Sequence, residues 1–297
     1  MLGGYSMALE EGIKGRIRVG TSGFQFDDWF GTVYPRSLKQ RNALEYYAEI
    51  LCMDTVELNY TYYSLPSART SEAMARKVPE GFEFAVRSHG SMTHEIWDGE
   101  NRSRLKDTAP AFERFVEGIL PLKEAGRLGP ILLQFPYGFW PSPITYDYLR
   151  FCQERLDGFD VVIEFRNRAW HRDTAYRLLR ELELGYCIVD EPKIRGLLPF
   201  VPLATSKTGY LRLHGRNPNW FGAEKDERYN YMYSENELKG ILQEVKGVIE
   251  ETDRTYVYFN NCPYGQALRN ALAFKKIAGL LRDLNEAQRF ALSGGNA

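Results

Sequence analysis

The chain's 297 residues exceed what an ordinary domain needs and come close to one α/β barrel of roughly 250 residues plus loop insertions. Hydrophobic content of 44% and charged content of 26% exclude a largely disordered chain. The 38 Lys and Arg against 39 Asp and Glu leave a net charge of -1, which excludes a protein that coats nucleic acid by bulk electrostatics.

Residues 1–15 carry no basic and apolar leader pattern, and we expect a flexible segment there. Strand, loop and helix then alternate through a single domain at 16–283. Apolar or β-branched runs predict strands at 16–23, 55–63, 82–89, 130–135, 160–166, 185–190, 209–214 and 254–261. Helical periodicity occupies 41–51, 68–77, 109–125, 144–156, 173–182, 235–251 and 265–281. Residues 191–206 contain Pro192, Pro199 and Pro202 and read as an irregular crossover. Residues 284–297 read as a C-terminal tail.

Eight such units can close into a barrel or lie open as a doubly wound sheet. An open dinucleotide-binding sheet calls for G-x-G-x-x-G after its first strand, whereas Gly20-Thr21-Ser22-Gly23 lacks that spacing. The pattern therefore predicts an α/β fold, a single (β/α)8 TIM barrel with long βα loops at its C-terminal face. No nucleotide cofactor is expected. Cys52, Cys152, Cys187 and Cys262 form no C-x-x-C pair, so a reducing compartment, the cytoplasm, is the expectation. No apolar run reaches the ~20 residues that cross a bilayer, and no membrane partner is expected.

Side chains alternate along a strand, so residues i and i+2 share a face. Four predicted strands end in a polar-x-polar step: Glu57-Leu58-Asn59, Arg87-Ser88-His89, Glu164-Phe165-Arg166 and Arg212-Leu213-His214. The interposed residues continue apolar runs that helices must cover, so the polar members are expected inside, at the barrel's top. Gln134, Asp190, Asn260 and Asn261 are expected to close three more strands in the same way. Burying that many charged groups costs several kcal/mol each unless partners compensate, so function at the C-terminal face is the stronger reading. Glu57, Glu164, His214 and Asp190 are the candidate catalytic groups. Asn59, Arg87, His94, Gln134, Arg166, Arg212 and Asn260 are the candidate substrate-binding groups.

All five tryptophans fall in predicted loops that follow strands. Two or three of the five are expected to plug loops onto the barrel, and Trp29, Trp170 and Trp220 are the candidates to stack on a ligand ring beside a basic collar that includes Arg168, Lys193, Arg195 and Arg216. The long loops 24–39, 90–106 and 215–233 are expected to wall or cover the cup.

These residues resemble the family catalogued as domain of unknown function 72. The resemblance rests on Gly20-Thr21-Ser22-Gly23 with Trp29 and Tyr34-Pro35, and on Thr55-Val56-Glu57-Leu58-Asn59 with Tyr62-Tyr63 and Leu65-Pro66. Thr93-His94, Leu132-Leu133-Gln134, Glu164-Phe165-Arg166 with Trp170, Arg212-Leu213-His214-Gly215 and Phe259-Asn260-Asn261 follow, covering about 16–283. The resemblance implies a barrel similar to the sugar-isomerase and endonuclease IV group, without a known reaction. Arg87 stands where the family usually has lysine, and Asn167 where it often has histidine. A guanidinium stays protonated, so a lysine-based covalent mechanism does not carry over.

Three functions follow from the cup. The first is a hydrolase or lyase acting on a phosphorylated or nucleotide-like substrate, clamped by Arg87, Arg166 and Arg212. The second is a glycosidase using Glu57 and Glu164, on strands three apart, as its carboxylate pair. The third is a barrel that binds a ligand or nucleic acid without catalysis. The expected partner is a small anionic or sugar-containing molecule, with nucleic acid left open. A metal is also left open: His89, His94, His214, Glu57, Glu164 and Asp190 are competent ligands, but none has a metal-specific spacing. Oligomeric state has no signal in the sequence.

Overall fold

Short runs rich in Val, Ile, Leu and Tyr cannot bury both faces alone, and here they pair edge to edge until no edge remains. The computed structural model describes residues 9–222 and 225–295. Its strands are β1 (Ile17–Ser22), β2 (Thr55–Leu58), β3 (Glu83–Arg87), β4 (Leu128–Gln134), β5 (Val161–Glu164), β6 (Gly185–Asp190), β7 (Thr208–Leu213) and β8 (Arg254–Phe259). All pair in parallel with their sequence neighbours, and β8 closes on β1. The predicted TIM barrel is the fold.

Alternation divides the core in two. Ala85, Leu132, Val162, Cys187, Val189, Tyr210, Tyr256 and Tyr258 fill the barrel interior as one cluster. A larger cluster, including Val56, Ile131, Ile163, Ile188, Leu211 and Val257, lies between the sheet and its helices. Those helices are amphipathic, and two of them carry a full capping box. Ser142 and Thr145 form a capping box at α5 (Pro143–Arg155), with proline at the first helical position where no amide partner is lost. Ser234 and Glu237 do the same for α8 (Glu235–Glu251). Other crossovers carry α3 (Ala68–Ala75), α4 (Ala109–Glu124) and α6 (Asp173–Glu181), the short α7 (Lys225–Arg228) precedes α8, and α9 (Gln266–Ile277) follows β8. Residues 191–206 contain no helix, as their prolines require.

Several boundaries differ from the sequence reading. The run 55–63 leaves the sheet after Leu58, and Tyr60–Tyr62 coil into a 3-10 turn because Thr61 turns back to bond Leu58 and Arg87 carbonyls. The helix expected at 41–51 is a short α2 (Ala43–Glu45) that widens into a π-helical turn at Tyr46–Ile50. In the N-terminal segment, Leu9 is buried and its amide donates to Ala278, and Glu11–Lys14 form α1. Residues 1–8 of that expected flexible segment lie outside the described residues. The expected tail folds instead into α10 (Glu286–Ser293), because Asn285 and Gln288 cap it and the buried Gln288 amide bonds the Leu51 carbonyl. Residues 296–297 lie outside the described residues. No described helix is long and apolar enough to cross a membrane.

Candidate functional site

At the C-terminal end of the strands a cup of about 770 Å³ opens to solvent, within the range of small-molecule pockets. The inward parity of the strands delivers its wall. Asn59, Arg87, Gln134, Arg166, Arg212 and Asn260 all line it, as the alternation rule anticipates. Glu57 and Glu164 lie beneath them and His214 above Arg212, each fully buried.

Arg212 is the hub. Its Nη2 donates to Glu57 Oε1 and its Nη1 to Glu164 Oε2, both at 2.7 Å. The Tyr210 hydroxyl, one inward position below, donates to Glu57 Oε2 at 2.6 Å. Arg166 pairs with the other Glu164 oxygen and lies 3.6 Å from Glu191. One guanidinium thus bridges both carboxylates, and charge-assisted bonds of this kind offset the cost of burial.

Arg87 is different. Its Nη2 is bonded to the Gln134 side-chain oxygen, its guanidinium lies 4.1 Å from the Tyr62 ring centroid, and its buried Nε has no partner. Among the described residues no carboxylate lies within ion-pairing distance of it. Burial, then the nearby Arg212 charge, pulls its pKa down from the usual guanidinium value. The strand ends therefore bring three guanidinium groups, Arg87, Arg166 and Arg212, against two closely paired carboxylates, while Asp28, Glu227 and Arg228 line the cup from the loops.

This field sets the protons around it. Burial alone would raise the Glu164 carboxyl, but Arg166 and Arg212 hold it well below the usual range. Burial and then Arg166 push His214 down to about 3, so it is neutral near pH 7. Its Nδ1 accepts from the Asn260 amide at 2.8 Å, which leaves the proton on Nε2, 3.5 Å from Glu164. His94, packed on Tyr62 at 4.8 Å, is pushed to about 4 by burial and then by Arg87 and Arg166. It stands beside the cup, not in its wall.

Glu191, overlooked in the sequence because it lies one residue past a strand end, behaves oppositely. Burial raises it to about 7 despite Arg166, while its Oε1 accepts from the Leu198 amide. The folded state therefore holds a proton that the unfolded state releases above about 4.5. The associated stability is fully present below that value and is lost as pH rises through 7. Relative to Glu191→Gln, the wild type is expected to lose on the order of 2–3 kcal/mol between pH 4.5 and 8, measured by denaturant unfolding. His214 works in the other direction but is common to both proteins. Parallel pH profiles would refute the assignment.

Asp190 requires correction. The interior residues of β6 are Cys187 and Val189, so Asp190 has the opposite parity and faces away from the cup. Arg216 grips both of its oxygens, with Nη2 at 2.8 Å, and the Tyr233 hydroxyl donates to it at 2.6 Å. Tyr233 in turn accepts from the Gly215 amide. Asp190 is an anchor for the β7 loop. Gly215 itself sits at φ +93°, and a Cβ there would lie 2.6 Å from Tyr231 Cβ, so only glycine fits.

Two of the three candidate stacking tryptophans take the loop-plugging role instead. Trp29 and Trp170 are fully buried and do not wall the cup. The Trp29 indole donates to Cys262 O, and Trp170 stacks on Phe165 at 4.1 Å while donating to Phe139 O. Large apolar rings following a strand were here needed to seal loops onto the barrel. Trp220 is nearly buried and covers His214 together with Tyr229. The aromatic wall consists of tyrosines instead, with Tyr63 and Tyr264 at the rim 65% and 61% exposed. The loops 24–39 and 215–233 contribute Phe26, Asp28, Arg228 and Tyr229, whereas 90–106 turns aside, with Arg102 bonded to Gly138 O. Among the described residues, no group of three or more His, Cys, Asp or Glu converges in a way that could hold a metal.

Fold and site together define a parallel eight-stranded βα barrel with a guanidinium-lined mouth. The chain belongs to the family described as "Protein of unknown function DUF72", which it matches over residues 18–290. It is similar to a solved DUF72 family protein from Thermotoga maritima, with 44% identity and a TM-score of 0.82, covering 89% of this chain and 99% of that one. A DUF72 family protein from Enterococcus faecalis matches at 27% identity and a TM-score of 0.77, covering 91% and 98%. The UPF0759 protein YunF of Bacillus subtilis is 27% identical over 86% of this chain and 92% of its own length.

Proposed function

We propose that the chain is a hydrolase or lyase that takes a phosphorylated or nucleotide-like substrate into the cup. Arg87, Arg166 and Arg212 bind the anion, and Glu164 with His214 carry the proton. The observation that carries the reading is Arg87: a largely buried guanidinium, aimed into a cavity, with no carboxylate partner among the described residues. A fork of this kind matches the paired oxygens of a phosphate.

The depressed values of Glu164 and His214 fit this use. Arg166 and Arg212 hold Glu164 down against its burial, and for His214 they add to the larger effect of burial. An anion that offsets those charges raises both groups toward the neutral range, so the proton carriers are tuned by the substrate they serve. Trp220 and Tyr229 over His214 keep water from that end.

The glycosidase reading is less well supported. A carboxylate pair must leave room between its members for a sugar carbon or a water. Arg212 occupies that gap, bonded to both Glu57 and Glu164.

Calorimetric titration with inorganic phosphate tests the proposal. Binding is expected to be saturable, weaker at high salt, and weakened about tenfold or more by Arg87→Gln. Arg166→Lys is expected to weaken it as well, since charge is kept but the fork is lost. Phosphate affinity unchanged by both substitutions would defeat the reading.

A further inference from the structure

The cup has two chemically different sides. On β3 to β5 stand Arg87 and Arg166, with the Gln134 amide already spent on Arg87 and the Phe135 carbonyl. On the β1 and β2 side the strand-end groups that reach the cavity, Ser22 and Asn59, are neutral, with Asp28 added by the loop after β1. Ser22, in register with Glu57, is 1% exposed, yet its Oγ has no partner among the described residues. Asn59, one inward position above Glu57, has a buried Oδ1 that also accepts from nothing among the described residues. Both residues line the cavity.

We propose that the anion is carried on a monosaccharide, whose hydroxyl groups are bound by Ser22 and Asn59. The proposal rests on the anion reading above and names its substrate class: an oxyanion-bearing sugar, either a sugar phosphate or a sugar acid. A bare phosphate satisfies the arginine side but brings no donor that must reach Asn59 Oδ1 across the cup. A hydroxyl both donates to the amide oxygen and accepts from Ser22. Leaving such buried groups unpaired costs roughly an order of magnitude in affinity per group.

Size and surface point the same way. A cavity of about 770 Å³ is much larger than a phosphate ion needs. A nucleobase needs flat faces to stack on; those beside the arginines are committed elsewhere, and the exposed Tyr63 and Tyr264 stand at the rim. Trp29 and Trp170 are closed in the core, and the Tyr62 face carries Arg87. The rim tyrosines offer apolar bodies with polar tips, which suit the mixed surface of a sugar ring.

The experiment is calorimetry on the full chain with inorganic phosphate, ribose, ribose 5-phosphate, gluconate and adenosine 5'-monophosphate. Ribose 5-phosphate or gluconate is expected to bind at least about tenfold more tightly than phosphate, and whichever binds more tightly identifies the source of the oxyanion. Ser22→Ala and Asn59→Leu are expected to erase that gain while leaving phosphate affinity within about twofold. Phosphate binding with no gain from the sugar overturns this inference and leaves the anion reading standing. So does equal weakening of phosphate and sugar phosphate by the two variants, or a nucleotide that binds about tenfold more tightly than ribose 5-phosphate. Ribose binding as well as its phosphate, or no anion binding at all, overturns the anion reading itself. The wild-type series decides the matter even if a variant fails to fold.

Discussion

Replacing Arg212 with methionine is expected to cost about 3–5 kcal/mol of stability near neutral pH, the range for removing one member of a buried ion pair. Arg212 is 1% exposed and donates to both Glu57 and Glu164, which are themselves wholly buried. Methionine fills much of the volume but leaves two carboxylates to share Tyr210 and Arg166. The sign with pH follows from Glu164. Its folded value is held low, so its contribution is present above the unfolded value of about 4.3 and is lost as pH falls. The deficit of Arg212→Met should therefore hold from pH 8 down to about 4.3 and shrink as pH falls toward 3. A companion Glu57→Gln substitution should recover part of it, since one buried charge is removed. Denaturant unfolding across that range is the check, and a pH-independent deficit would mean that the loss is one of packing.

Trp170→Ala is expected to be comparably damaging, about 3–5 kcal/mol, although it lies outside the cup. The indole is fully buried, stacked on Phe165 at 4.1 Å and on Phe139 at 5.3 Å, and its Nε1 holds the Phe139 carbonyl at 2.6 Å. Truncation opens a cavity and strands a buried carbonyl, so two costs add. Because Trp170 does not line the cup, the refolded variant should bind phosphate with affinity close to wild type, measured well below its unfolding midpoint. A variant that stays stable but loses the anion would place Trp170 at the ligand after all.

The period-2 rule explains why most of the wall was legible. Glu57 and Asn59, Glu164 and Arg166, Arg212 and His214 share a face because each pair is separated by one apolar residue that belongs under a helix. The same rule misplaces Asp190, since a single polar residue at a strand end carries no parity without its neighbours. Reading Cys187 and Val189 as the inward pair would have turned it outward. Ser22 escaped notice because it is small and uncharged, although it ends β1 on the inward face. The tyrosine wall escaped for another reason. Tyr62, Tyr229 and Tyr264 lie in loops whose path is set by long-range contacts, such as Tyr264 N to Asp28 and Asn261 to Tyr231 O. Tryptophan is the more conspicuous ring in a sequence, but its size favours loop sealing over ligand contact.

The proposed anion site in the cup depends on Arg87 to complete it. A crystal structure of the wild-type chain grown at a phosphate concentration well above its calorimetric dissociation constant is the decisive measurement. The expected result is a phosphate inside the cup, with oxygens within hydrogen-bond distance of the Arg87 and Arg166 guanidinium groups, and the Arg212 bridge to Glu57 and Glu164 intact. Phosphate bound only elsewhere on the molecule, with Arg87 paired to a carboxylate of its own chain, would contradict it.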